Sequence, residues 1–241
     1  MATAKKFTSW SFSRYMDYVK CPLFAKLKHL DKIAEPGNDA MKRGSAIHKL
    51  AEDYIKGLLP RLPMELKLFE DEIKDMRAVY RKLPGTIYVE ADWSFTKDWT
   101  PTTWNDWVGC FVRLKLDCAH TIDDTVMKVI DWKTGKFREE MNADYVEQLE
   151  LYALAALVLH PHLTEVRPML VYLDQGTVYP AEGGELVFTQ ADVPRLKKLW
   201  EKRVTPMFKD TRFAPKPNNK CRWCFYGQAG KLKGGPGLCK Y

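Results

Sequence analysis

In two stretches between residues 87 and 120 the apolar side chains recur with a period of two. Ile87, Val89, Ala91, Trp93 and Phe95 alternate with Tyr88, Glu90, Asp92 and Ser94, the pattern of a half-buried strand. After a turn region at Trp99–Asp106, a second strand is expected from Trp107 to His120. It carries Val112, Leu114, Leu116 and Cys118 on one face and Arg113, Lys115 and Asp117 on the other. Asp123-Asp124 reads as a hairpin turn, and Val126–Trp132 as a third strand with Val129 and Asp131 on a common face and Met127, Ile130 and Trp132 placed less regularly. A sheet with so few strands must bury its apolar face against helices.

Helical periods flank this stretch. Ser9–Leu30 reads as a helical segment, and Glu35-Pro36-Gly37-Asn38 as a loop. Gly44–Leu58 places Ile47, Leu50, Ala51, Tyr54, Ile55 and Leu58 on one helical face and is ended by Pro60 and Pro63. Glu65–Lys82 is a charged helix closed by Pro84-Gly85, and Asp144–His160 is apolar on nearly every side, as a buried helix should be. Two more strands, Val166–Leu173 and Thr177–Pro180, meet at Asp174-Gln175-Gly176, and Thr189–Phe208 is a basic helix. The order predicts an α/β fold, a small mixed sheet flanked by helices. Three segments are expected to form one compact unit: 1–43, 44–188 and 189–241.

Asp131-Trp132-Lys133 ends the third strand, and Asp117 lies 14 positions earlier on the polar face of the second. With a turn near Asp123-Asp124, both carboxylates converge at one end of the hairpin. Two convergent carboxylates beside a lysine can hold a divalent cation while the ammonium orients water. A hard cation with oxygen ligands suits phosphate esters. The same residues taken alone also describe an ordinary solvated strand end. Three more groups bear on the choice. His48 follows Gly44 on a helix. Gln148 and Tyr152 share a helix face, either at the site or as a buried polar pair. Glu90 lies on the polar face of the first strand, within reach of the same place but as readily an exposed strand glutamate.

In this order the residues resemble the RecB-like, AddB-like branch of the PD-(D/E)XK nuclease superfamily, and are similar to the iron–sulfur nuclease of CRISPR adaptation. The resemblance runs from Ser11 to Cys239 through Ser11-x-Ser13, Cys21-Pro22, Gly44-x-x-x-His48, Asp117, Asp131-Trp132-Lys133, Gln148-x-x-x-Tyr152, Cys221-x-x-Cys224 and Cys239. It implies a restriction-endonuclease-like core in which His48, Asp117, Asp131 and the backbone carbonyl of Trp132 ligate Mg²⁺ or Mn²⁺. Lys133 would position the attacking water and offset phosphate charge. Gln148 and Tyr152 would support the site and contact the nucleic-acid backbone. The implied activity is that of a metal-dependent deoxyribonuclease, an exonuclease on single-stranded DNA or DNA ends, in recombination, repair or phage DNA metabolism. The alternatives are a catalytically silent DNA-binding or scaffold subunit of a recombination or CRISPR-adaptation complex, and a structure-specific endonuclease. Intact Asp117, Asp131 and Lys133 speak against silence. The family usually has glycine three residues before the first aspartate, where this chain has Leu114.

Six cysteines without a secretory-type start argue against a disulfide framework and for metal ligation in a reducing cytoplasm. Cys221-x-x-Cys224 is a single local pair, whereas zinc sites usually combine two. The resemblance instead implies a 4Fe-4S cluster held by Cys21, Cys221, Cys224 and Cys239, with zinc as the other occupant. Cys110 and Cys118 share the parity of the apolar strand face and are expected in the core.

Charge is unevenly spread within a net of +7. Residues 1–58 hold 11 basic and 6 acidic groups, residues 59–194 hold 14 and 23, and residues 195–241 hold 13 and 2. Basic ends around an acidic middle suit a polyanion held beside metal-binding carboxylates. The basic C-terminal segment interleaves Trp200, Phe208, Phe213, Trp223 and Phe225, a composition suited to single strands, although the core also claims aromatics. The longest purely apolar run, Leu151–Leu159, is far short of the ~20 residues of a membrane span. No G-x-x-x-x-G-K-[ST] motif is present, so any ATP-driven step is expected from a helicase or recombination partner.

Overall fold

The computed structural model describes residues 5–137, 142–181 and 183–241. They fall into two units, one of residues 38–199 and one assembled from residues 1–37 and 200–241.

The unit of residues 38–199 opens with α3 (Asp39–Ile55), capped by the Asn38 side chain accepting from the Met41 N–H, followed by α4 (Glu70–Lys82). Then come β1 (Ile87–Phe95), β2 (Val112–Thr121), β3 (Val126–Lys133), α5 (Asn142–Leu159), β4 (Glu165–Tyr172), β5 (Thr177–Tyr179) and β6 (Phe188–Thr189). The last helix, α6 (Val193–Lys209), contains the boundary between the units.

The six strands form one mixed sheet in the order β1-β2-β3-β4-β5, with β6 on β4. The β1–β2, β2–β3 and β4–β5 pairs are antiparallel and β3–β4 is parallel. A parallel pair needs a long crossover, which α5 supplies. Alternation along the strands separates two faces. Val89, Cys118, Ile130, Trp132, Val171 and Leu173 pack against Ile47, Ala51, Tyr54 and Ile55 of α3 and Ile73 and Met76 of α4. The neighbouring strand positions Leu170 and Tyr172 pack instead with Leu149 of α5. Residues 151–157 of α5 are all buried, which explains its nearly unbroken apolar sequence.

The predicted small mixed sheet flanked by helices is therefore present, with local differences. The second strand begins at Val112 rather than Trp107, because the Asp106 carboxylate accepts the N–H groups of Val108 and Gly109 and folds that stretch into a turn. The helix predicted over 65–82 opens with a 3-10 segment, Met64–Phe69, and the basic helix starts at Val193 behind a Thr189/Asp192 capping box.

In the second unit, α1 (Phe12–Lys20) is capped by Ser11 and stops at Cys21, which is extended (φ −165°, ψ 114°). Pro22 forces this break by disfavouring helical backbone in the residue before it. The chain re-enters helix as α2 (Pro22–Ala25) and a π-helical turn, Lys26–Leu30. Phe24 and Leu27 pack on Tyr226 from the far end of the chain, whose hydroxyl donates to the Ile33 carbonyl at 2.7 Å. The Trp10 and Trp200 rings stack at 5.3 Å.

Candidate active site

Three elements each bring one side chain to the same end of the sheet. Nδ1 of His48 on α3 lies 3.2 Å from Oδ1 of Asp117 on β2 and 3.9 Å from Oε1 of Glu90 on β1. One donor atom from each of the three residues fits within a mutual 4.8 Å. The meeting follows from local structure. Val89↔Cys118 and Ala91↔Leu116 pair on either side of Glu90 and Asp117, so these two acids stand side by side on adjacent strands. Gly44, one helical turn before His48, lets α3 close on the segment after β3, since a Cβ there would lie 3.1 Å from Oγ1 of Thr134. The edge of the His48 ring meets the buried Trp132 indole at 5.9 Å.

Asp117 is fixed from its other oxygen. The β2–β3 ladder runs from Thr121↔Met127 to Cys118↔Ile130. At the next position Oδ2 of Asp117 accepts the Trp132 N–H at 2.7 Å, so a side chain takes over the backbone's ladder bond where the strands part.

Asp131 lies beside this trio but is not one of it, its carboxylate being turned toward α5. Its Oδ2 is 2.5 Å from Nζ of Lys133, and its Oδ1 accepts from Nε2 of Gln148 at 3.0 Å. Gln148 also donates to the Tyr152 hydroxyl at 2.7 Å, which in turn donates to the Lys115 carbonyl at 3.0 Å. Lys133 Nζ donates to Oε1 of Gln148 at 3.3 Å and sits 4.3 Å over the Tyr145 ring. Gln148 thus ties both charges of the Asp131–Lys133 pair to α5. Tyr152 is buried with its hydroxyl engaged between Gln148 and the Lys115 carbonyl.

Electrostatics follow from burial and crowding. Burial pushes the Asp131 carboxyl upward; Lys133 opposes this and the Asp117 charge adds to it. For Lys133, burial favours the neutral amine, but Asp131 outweighs burial and the ammonium is held above its ordinary range. Burial likewise works against a charged His48, yet Asp117, Asp131 and Glu90 raise it overall. Tyr152 stays a neutral phenol, driven well above its usual value by burial and the nearby aspartates.

Glu90 is the member that the sequence reading left outside the ligand set. Its signal was its place on the polar face of β1, but only the register shows that it stands beside Asp117. It also holds left-handed backbone (φ 51°), which costs a non-glycine residue about 1–3 kcal/mol and clusters at functional sites. Lys115 pairs with its outer oxygen at 3.0 Å.

In the other unit, Cys21, Cys221, Cys224 and Cys239 all line one cavity, with Phe24, Leu27 and Tyr226 among its walls. The Lys216 N–H donates to the Cys21 sulfur and the Asn218 N–H to that of Cys221, each at 3.3 Å. Among the described residues, no three cysteine sulfurs lie within 4.8 Å of one another. Cys110 and Cys118 are buried, as their strand parity predicts.

The fold and this cluster of acids define a class, and comparison with known proteins names it. The family model of the PD-(D/E)XK nuclease superfamily matches residues 9–229, and the chain belongs to that superfamily. Its members are hydrolytic nucleases that use divalent metals. Among solved structures the chain is similar to SSO0001, with 13% identity over 93% of this chain and 87% of that one and a TM-score of 0.45. It is also similar to a candidate exonuclease from Eubacterium rectale, with 13% identity over 90% and 86% and a TM-score of 0.49. No curated protein matches significantly. Among the described residues, no helix is long and apolar enough to cross a membrane.

Proposed function

We propose that this chain is a divalent-cation-dependent deoxyribonuclease of the RecB-like branch, acting as an exonuclease on single-stranded DNA or DNA ends. The observation that carries the reading is the convergence of His48, Glu90 and Asp117 beside a buried Asp131–Lys133 pair, in a chain of this superfamily. One imidazole among several carboxylate oxygens is a donor set suited to Mg²⁺ or Mn²⁺. Oδ2 of Asp131 meets the Lys133 ammonium at 2.5 Å and keeps a further lone pair for such an ion. His48, Glu90, Asp117 and Asp131 would hold it, with the Trp132 carbonyl as a further ligand. The bound cation supplies two things, a water of lowered pKa and neutralisation of phosphate charge.

The chain's own residues do the rest. Lys133 stays an ammonium and offers its protons to a water or a phosphate oxygen. Gln148 fixes Asp131 and Lys133 relative to each other, and Tyr152 fixes Gln148 through the β2 backbone. Such orientation is worth orders of magnitude in rate when the reacting atoms are held in near-attack geometry. Hydrolysis replaces one phosphorus–oxygen ester bond by a bond to the oxygen of water, and the departing sugar oxygen takes a proton.

The four cysteines are read as ligands of a 4Fe-4S cluster. A tetrahedral zinc with bonds of ~2.3 Å would draw the sulfurs to within ~3.8 Å of each other. A cluster binds each sulfur to a different iron and spaces them more widely. A single local pair, Cys221-x-x-Cys224, joined by the distant Cys21 and Cys239 on one cavity, supports the cluster over zinc, which usually draws on two local pairs.

The test is a cleavage time course with anaerobically purified protein on 5′- and 3′-labelled single- and double-stranded DNA with Mg²⁺ or Mn²⁺, beside iron and sulfide analysis. The reading expects end-dependent cleavage that Asp131→Ala and Lys133→Ala abolish. No cleavage by the wild type, or full cleavage by both variants, overturns the assigned site. Stoichiometric zinc without iron overturns the cluster.

A further inference from the structure

The connection from β1 to β2 is 16 residues long, residues 96–111. Loops of that length inside a compact unit are uncommon and usually serve a function. This one is internally built. Phe95 bridges to Pro101, the Ser94 hydroxyl donates to the Thr102 carbonyl at 2.7 Å, and Trp99 is buried against Phe95. The Asp106 carboxylate accepts from the Thr102 hydroxyl and from the Val108 and Gly109 N–H groups at 2.7, 3.2 and 2.7 Å. Gly109 has to be glycine for this closure, since a Cβ there would lie 2.4 Å from the same carboxylate.

What the loop holds up is apolar. Trp107 is 82% exposed and Val108 fully exposed, an arrangement that costs solvation unless something covers it. The Arg113 guanidinium lies 5.5 Å from the Trp107 ring and 5.8 Å from that of Trp104, and its Nε donates to the Trp104 carbonyl at 3.2 Å. A cation is thus fixed beside an exposed indole. Arg113, Lys115 and Asp117 alternate onto one face of β2, so four residues of strand, ~13 Å, separate the indole's cation from the proposed metal site. Across from them on β1 stand Ser94 and Asp92, and Lys115 is paired with Glu90.

We infer that the β1–β2 loop is a base-stacking platform, on which Trp107 takes an unpaired nucleobase while Arg113 meets the adjoining phosphate, directing a single strand along β2 toward the acidic site. The inference deepens the nuclease reading and rests on it for the identity of the polymer. An exposed ring with a neighbouring cation is the combination single-strand binders use, since every base has a π-face and every nucleotide a phosphate. The loop's internal bonds hold its backbone in place before binding, so little ordering of the loop is required when the strand arrives.

The experiment measures binding of fluorescent oligothymidylate by anisotropy in EDTA, and cleavage of the same strand with Mn²⁺, for wild type, Trp107→Ala and Trp107→Phe. Trp107→Ala should weaken binding by about 5- to 150-fold, the worth of one stacked base, while Trp107→Phe stays within about threefold of wild type. A fully abasic strand of equal length should bind wild type and Trp107→Ala alike, because it keeps the phosphates and lacks the bases. Thermal melting checks that the exposed substitution leaves the fold intact. Unchanged affinity of Trp107→Ala in an enzyme that still cleaves overturns the platform and leaves the nuclease reading standing. Trp107-dependent binding without any cleavage by wild type leaves the platform standing and overturns the nuclease. A change from dimer to monomer on substitution, with DNA affinity unaltered, overturns the platform in favour of a contact between copies.

Discussion

Replacing Lys133 by methionine removes the ammonium paired with a carboxylate buried in the core of the site. The side chains of Lys133 and Asp131 are 18% and 5% exposed, and their charged atoms are 2.5 Å apart. At such low exposure solvent screens little, and removing one partner of a buried pair costs about 3–5 kcal/mol because the other charge is left uncompensated. For a chain of this size each kcal/mol lowers the melting temperature by about 2–4 °C, so Lys133→Met should melt roughly 6–20 °C below wild type. The measurement is thermal unfolding followed by circular dichroism in EDTA, so that no cation compensates the aspartate. Adding Asp131→Asn to the same chain removes the stranded charge while keeping an acceptor for Gln148, and the double variant should recover most of the loss. Both variants should be cleavage-defective by at least about 10²-fold, the usual cost of deleting one preorganised charge at a reaction centre. A Lys133→Met protein that melts within about 2 °C of wild type, or a double variant less stable than the single one, would refute the buried-pair argument.

Glu90→Gln should weaken Mn²⁺ binding by about tenfold or more, measured by calorimetry, because it deletes one carboxylate of the proposed donor set. Tyr152→Phe leaves the Lys115 carbonyl without its donor and frees Gln148, so it should cost about 1–3 kcal/mol of stability and lower kcat with KM little changed. Asp17 gives a pH prediction: burial raises its carboxyl, but bonds from His29 and Lys28 outweigh burial and hold it below 3.8. A depressed folded-state value makes its stabilisation complete above about pH 4 and lost as pH falls through that lowered value. Denaturant midpoints between pH 6 and pH 3 should therefore fall less steeply for Asp17→Asn than for wild type.

Much of the architecture could be read directly from residue order. The period-two stretch at 87–95 and the less regular stretch at 126–132 became β1 and β3, and the largely apolar stretch at 144–160 became the buried crossover α5. Hairpin arithmetic was enough to bring Asp117 beside the end of β3, since both positions lie a similar distance from the turn. What escaped the pattern was set by side-chain bonds or by register. The Asp106 carboxylate turned residues 107–111 out of the strand, and periodicity carries no trace of that capture. Glu90 looked like any exposed strand glutamate until its alignment with Asp117 was known. The meeting of Cys21 with Cys221, Cys224 and Cys239 around one cavity was expected from the family resemblance and not from spacing, since it depends on Tyr226 packing over Phe24 and Leu27.

The unit built from both ends of the chain has a consequence for synthesis. Cys21 and its apolar neighbours leave the ribosome 200 residues before Cys221 does, and at about 5–20 residues per second that is a wait of roughly 10–40 s. During that interval residues 38–199 emerge in full as one continuous stretch, while Phe24 and Leu27 lack Tyr226. The nascent chain thus completes the unit that gathers His48, Glu90 and Asp117 first and carries an open, sticky thiol-bearing end, so chaperone supply should govern yield more than the sheet does.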